Sequence, residues 1–123
     1  MKIIEAINKS DELKPNGYTQ SDKIRWLSAC DSMIKRNIID THEGGEDEEF
    51  GGYNDETDLT TELLVPEPYD EMYLTWLESK IDYTNGEYGK YNNSITRFND
   101  TYKQYESDYN RTHMPKGTRV KYF

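Results

Sequence analysis

From Tyr69 to His113 the large apolar and aromatic residues recur at the spacing of one helix face: Tyr69, Met72/Tyr73, Trp76/Leu77, Ile81, Tyr88, Tyr91, Ile95, Phe98, Tyr102, Tyr105 and Tyr109. Steps of three and four residues belong to a helix and not to the alternation of a strand. Eight of the eleven tyrosines fall in this stretch, so the seam joins large apolar area to hydroxyls that need water or a partner. Trp76, Leu77, Ile81, Ile95 and Phe98 are its expected core. Tyr102, Tyr105 and Tyr109, set among Lys103, Asp108 and Arg111, fit an intersubunit surface, because interfaces favour aromatic anchors within a polar rim.

Two shorter helical patterns precede the seam. Ile3, Ile4 and Ile7, with Leu13 at the end, form a stripe that stops at the turn formers Pro15-Asn16-Gly17. Thr19, three residues before Asp22, then makes a capping-box variant and opens a second helix. Its inner face is Trp26/Leu27, Cys30, Met33/Ile34 and Ile38, running to about Asp40. This face is the expected packing partner of the long seam. Cys30, the single cysteine, belongs to that face and has no second cysteine to pair with.

Between the two patterns the periodicity disappears. Residues 41–65 read as a long acidic loop, with nine acids from Glu43 to Glu62 and no Lys or Arg between Arg36 and Lys80. Gly44-Gly45 and Gly51-Gly52 loosen it, and Phe50 and Tyr53 are its expected anchors. Leu59, Leu63, Leu64 and Val65 fit a short extended or hairpin element that Pro66 and Pro68 close. Asn85-Gly86 and Gly89 interrupt the long helix, each glycine costing about 1 kcal/mol relative to alanine. The seam resumes with only a small phase change, which favours one kinked helix over a helical hairpin. The expected fold is all-α: a small helical bundle with one long C-terminal helix, a domain over 1–113 and a basic tail over 114–123.

Charge and motif spacing narrow the chemistry. A net charge of −9 opposes nonspecific adhesion to DNA or to anionic membranes. No apolar run reaches the length of a membrane span, so the expectation is folding in the cytoplasm of the producing cell. Asp47, Glu48, Asp55 and Asp58 lack the alternating pattern of a calcium loop, and neither His42 nor His113 belongs to a zinc spacing. Without a nucleophile elbow or a phosphate-cradling loop, the chain is expected to be neither an enzyme nor a cofactor-binding protein.

Five segments taken together resemble a known family. They are Lys23-Ile24-Arg25-Trp26-Leu27, Ile38-Ile39-Asp40-Thr41-His42, Leu63-Leu64-Val65-Pro66-Glu67-Pro68-Tyr69-Asp70, Tyr91-Asn92-Asn93-Ser94 and Arg111-Thr112-His113-Met114-Pro115. Their order and spacing resemble the head-to-tail connector (adaptor) proteins of tailed bacteriophages, of the type encoded near the portal in phages of Gram-positive bacteria. The resemblance implies a structural virion protein of the neck, assembled in the host cytoplasm as a homo-oligomeric ring on the portal protein. Such a ring continues the DNA channel, lets DNA pass without specific binding, and offers a platform to a downstream stopper or tail protein. Expected contact residues are Phe50, Tyr53, Tyr102, Tyr105 and Tyr109, with Arg119, Lys121, Tyr122 and Phe123 of the tail. The alternative is an acidic DNA mimic that inhibits a nuclease or other DNA-binding protein, its carboxylates imitating phosphates.

Overall fold

A computed structural model describes residues 1–116, and the tail positions Arg119, Lys121, Tyr122 and Phe123 lie outside them. Among the described residues, four α-helices account for the periodic segments: α1 (Ile3–Leu13), α2 (Gln20–Ile34), α3 (Met72–Thr84) and α4 (Tyr88–Thr112). The Thr19 capping box forms, with Thr19 Oγ1 accepting from the Asp22 amide at 3.1 Å and the Asp22 carboxylate facing the Thr19 amide at 3.4 Å. α2 does not end cleanly. It widens into a π-turn over Lys35–Ile39, closed by the Asp40 amide donating to the Lys35 carbonyl at 2.8 Å.

The long seam is a helical hairpin, which corrects the expectation of one kinked helix. Asn85 caps α3 and Gly86 takes the left-handed conformation (φ +77°), so the chain reverses at that pair. Pairing across the hairpin is antiparallel: Glu78 meets Arg97 at 2.9 Å, the Ser94 hydroxyl donates to Asp82 at 3.0 Å, and the Trp76 and Phe98 rings lie 5.0 Å apart. A three-to-four-residue spacing survives folding back, because two antiparallel helices can present their apolar faces to each other. Periodicity reports a face and carries no information about where the axis turns.

Ile3, Ala6 and Ile7 of α1, Leu27, Cys30 and Ile34 of α2, and Met72, Tyr73 and Leu77 of α3 meet in one core, which Phe98 and Tyr105 of α4 complete. Leu13 departs from its stripe and is 63% exposed, because it lies in the last turn of α1 beyond that core. Among the described residues there is no β-strand or hairpin. Of the expected extended or hairpin element only a single antiparallel bridge, Lys2 to Glu62, forms beside the N-terminus, with Ile3 N donating to Thr61 O at 3.0 Å and Leu63 N to Met1 O at 2.9 Å; Leu63 and Val65 are buried, and the chain bends at Leu64 and Val65. No helix among them is long and apolar enough to cross a membrane.

Candidate functional site

The acidic loop lies in the longest stretch without an α-helix among the described residues, and three buried polar groups fasten it to the helices. The first is Asp31 of α2, a fully buried carboxylate held by uncharged donors: the Tyr53 and Tyr73 hydroxyls at 2.5 Å each and the Leu64 amide at 3.1 Å. The Tyr73 hydroxyl in turn accepts from the Val65 amide at 2.8 Å. Burial pushes the Asp31 carboxyl above the usual carboxylate range, with the three hydrogen bonds opposing that rise. The same burial, next to the Asp31 charge, raises both tyrosines strongly, so they stay protonated donors.

Lys35, at the start of the π-turn, is the second fastening. Its ammonium donates to Asp40 and to the Gly45 carbonyl, each at 2.5 Å. The loop backbone packs against the turn so closely that a Cβ at Gly45 would stand 1.9 Å from the Ile39 carbonyl oxygen. His42 is the third. Only 2% of it is exposed: Nδ1 donates to the Ile38 carbonyl at 2.6 Å and Nε2 lies 2.8 Å from the Asn110 side-chain oxygen on α4. Beside it, Tyr109 packs edge-on against His42 and stacks on His113 at 3.7 Å.

With the loop held this way, its charges point outward. Asp47, Glu48 and Glu49 are exposed, while Glu46 is exposed and paired with Lys116 at 2.5 Å. Asp55 accepts from Ser21, and Asp58 is held below the usual carboxylate range by the Thr60 amide and hydroxyl. Among the described residues, no three His, Cys, Asp or Glu side chains converge as metal ligands. Most of these acids face solvent, and among the described residues they form no coordination geometry.

The structure brings together some of the expected contact residues and separates others. Phe50 and Tyr53 are half-buried and meet edge to face at 5.1 Å; Tyr53 ties the loop to Asp31 and the core, and Phe50 packs on Tyr53 within the loop. Tyr105 is only 4% exposed and packs on Tyr69 and Tyr109, so it belongs to the core of its own chain and not to an intersubunit surface. Burial pushes its hydroxyl up to about 12. Tyr102 and Tyr109 are half-buried against the same core, with one edge accessible. The fields of Lys35, Glu48 and Asp40 reach Tyr109, which places it at the border of the acidic loop and apart from the Phe50–Tyr53 pair.

Sequence reasoning missed Asp31, Lys35 and a second buried carboxylate, Asp82, which receives Lys14 of the α1 terminus and Ser94 of α4. A signal for Asp31 exists, since Leu27, Asp31, Ile34 and Ile38 share one helical stripe and the acid interrupts an otherwise apolar face. A polar residue there marks a tertiary joint. Comparison with protein-family models, with curated proteins and with solved structures finds no match to the chain.

Proposed function

We propose that the chain is a structural subunit of a bacteriophage head-to-tail connector, forming a ring on the portal protein and continuing the DNA channel toward the neck. The observation that carries this reading is the ordered set of five family-like segments. In the fold, those segments coincide with places where remote parts of the chain lock together. Thr41 and His42 meet the end of α4, through the Lys116 amide on the Thr41 carbonyl and the Glu43 amide on the Met114 carbonyl, at 3.0 and 2.8 Å. Asp70 lies 3.7 Å from the N-terminal ammonium, and Ser94 bonds the buried Asp82.

Physical chemistry supports the same role. A strongly negative subunit beside a DNA channel repels phosphate and lets the duplex slide. The small core, drawn from only 33% hydrophobic residues, gains from neighbours that bury more surface. The acidic loop and the basic tail of residues 114–123 supply opposite charges for heterologous contacts.

Mixing the purified chain with the portal from its own genome, and following complex size by light scattering and electron microscopy, tests the reading. A defined ring capping one end of the portal is the expected result. A chain that ignores the portal overturns it and directs attention to a later neck position or to inhibition of a DNA-binding protein.

A further inference from the structure

We infer that the turn between α1 and α2 is a site of spontaneous modification, where Asn16 converts to aspartate and isoaspartate in the folded chain while the identical Asn85-Gly86 pair is protected. These are the two Asn-Gly pairs of the sequence. A glycine after asparagine leaves the backbone nitrogen unshielded by any side chain, so the two pairs begin chemically alike. Attack of the glycine nitrogen on the asparagine Cγ forms a cyclic imide, and the Cγ–Nδ2 bond breaks as the amide proton leaves with ammonia. Water then opens the ring at Cγ, giving aspartate, or at the backbone carbonyl carbon, giving isoaspartate. Nothing is oxidised or reduced, and water is the co-reactant.

Asn85 is held away from this reaction at both atoms that would join. Its nucleophile, the Gly86 amide, donates to the Tyr83 carbonyl at 3.0 Å. The Asn85 backbone is helical (φ −74°, ψ −9°), which turns the next nitrogen away from Cγ, so ring closure requires the residue to leave that region. The side-chain amide is clamped as well, with the Tyr18 hydroxyl donating to Oδ1 and Nδ2 donating to Glu87 at 3.3 Å. Closure of the ring disturbs all of these together.

At Asn16 the nucleophile is unengaged. Among the described residues the Gly17 amide makes no hydrogen bond, and apart from its chain neighbours nothing lies within 4 Å of an added Gly17 Cβ. Asn16 stands outside any helix, and its Oδ1 accepts from the Tyr18 amide at 3.0 Å, a turn that curls the side-chain amide over the Gly17 peptide. Nδ2, the leaving nitrogen, donates to Asp11 at 3.1 Å and to the Lys14 carbonyl at 3.0 Å. Conversion therefore sets a carboxylate against two acceptors in place of a donor. Asp11 is also the partner of the buried Lys23 at 2.7 Å, so the new charge falls on the joint between α1 and α2.

The reaction needs no partner and is independent of the connector reading. Its test incubates the full chain at neutral pH, folded and in guanidinium chloride, and follows each asparagine by peptide mapping, with electron-transfer fragmentation separating isoaspartate from aspartate. Folding should raise the ratio of the Asn16 rate to the Asn85 rate about tenfold or more, because Asn85 reacts only from a rarely opened turn. Tyr18→Phe keeps the backbone bond to Asn16 and removes the hydroxyl from Asn85, so it should raise the rate at Asn85 alone. A rate ratio that folding leaves unchanged or lowers overturns the inference. So does a folded chain whose Asn16 stays intact while the unfolded chain converts, or a Tyr18→Phe variant in which Asn85 is as slow as in the wild type.

Discussion

The Tyr73 hydroxyl donates to Asp31 Oδ1 at 2.5 Å although 42 positions separate the two residues, and through this bond α3 is joined to α2 beneath the acidic loop. Tyr53 brings the loop to the other carboxylate oxygen, so one side chain of α2 sets where the loop lies. None of the three donors to Asp31 carries a charge. The carboxylate is stabilised by hydrogen-bond geometry alone, which makes it sensitive to the loss of any partner.

Asp31→Ala leaves two buried hydroxyls and the Leu64 amide without their acceptor and should cost about 3 kcal/mol or more. Tyr73→Phe also strips the Val65 amide of its acceptor and should cost about 2 kcal/mol, whereas Tyr53→Phe, at the half-buried end, should cost about 1 kcal/mol. Urea unfolding followed by circular dichroism orders the three. Equal losses at Tyr53 and Tyr73 would contradict the network.

The raised Asp31 pKa has a pH signature. Burial lifts the folded-state value above the unfolded one, near 3.9, so the folded protein holds more protons between the two values. The contribution of this group is fully present below the unfolded pKa and is lost as pH rises through the folded pKa. The stability of the wild type relative to Asp31→Asn should therefore decline from about pH 4 upward and then level off. Taking the difference between the two proteins removes the effect of the other 23 of the 24 acidic residues. A difference independent of pH would show that Asp31 titrates normally.

Two glycines three positions apart should respond in opposite directions. Gly86 has φ +77° and no neighbour within 4 Å of an added Cβ, so Gly86→Ala suffers backbone strain alone and should cost about 1 kcal/mol. Gly89 stands inside the first turn of α4, again in open space, and has no positive φ. Gly89→Ala should stabilise the protein by up to about 1 kcal/mol. Thermal unfolding of the two variants compares the hairpin with a continuous helix, in which both substitutions would stabilise.

Gly45→Ala places a methyl group against backbone, 1.9 Å from the Ile39 carbonyl oxygen, where no side chain can move aside. The loop must lift from the π-turn, which breaks the Lys35 contact with the Gly45 carbonyl and leaves a buried ammonium short of an acceptor. Loss of about 2–4 kcal/mol is expected. Limited proteolysis should cut within residues 43–50 at least tenfold faster than in the wild type, because cleavage of an opened segment follows its population. Gly44→Ala, strained but not obstructed, should accelerate cleavage less.

Local patterns made much of the helical content legible. The stripe Ile3-Ile4-Ile7 and the Thr19-Asp22 box mark α1 and the start of α2, and the apolar face around Leu27 and Cys30 lies in the core. Each of these signals is contained in fewer than about ten consecutive residues, because helix periodicity and capping are governed by neighbours three or four positions away. The acidic character of the loop was legible for the same reason.

What stayed hidden depends on partners distant in sequence. Gly86 could be spanned by a kinked helix or could reverse the chain. The tertiary structure chose reversal, since only an antiparallel α4 brings Phe98 onto Trp76 and Ser94 onto Asp82. Tyr105 and Tyr109 look equivalent along the sequence, yet Tyr105 faces Tyr69 in the core and Tyr109 borders the loop, because α4 turns one toward the bundle and leaves an edge of the other outside. Asp31, Lys35 and His42 read as ordinary surface residues by type, and burial of each is tolerable only with hydrogen-bond partners that folding supplies. The sequence by itself determined the helices and the charge of the loop; tertiary structure decided where the chain folds back and which polar groups hold the loop in place, since both depend on contacts between residues that no local pattern connects.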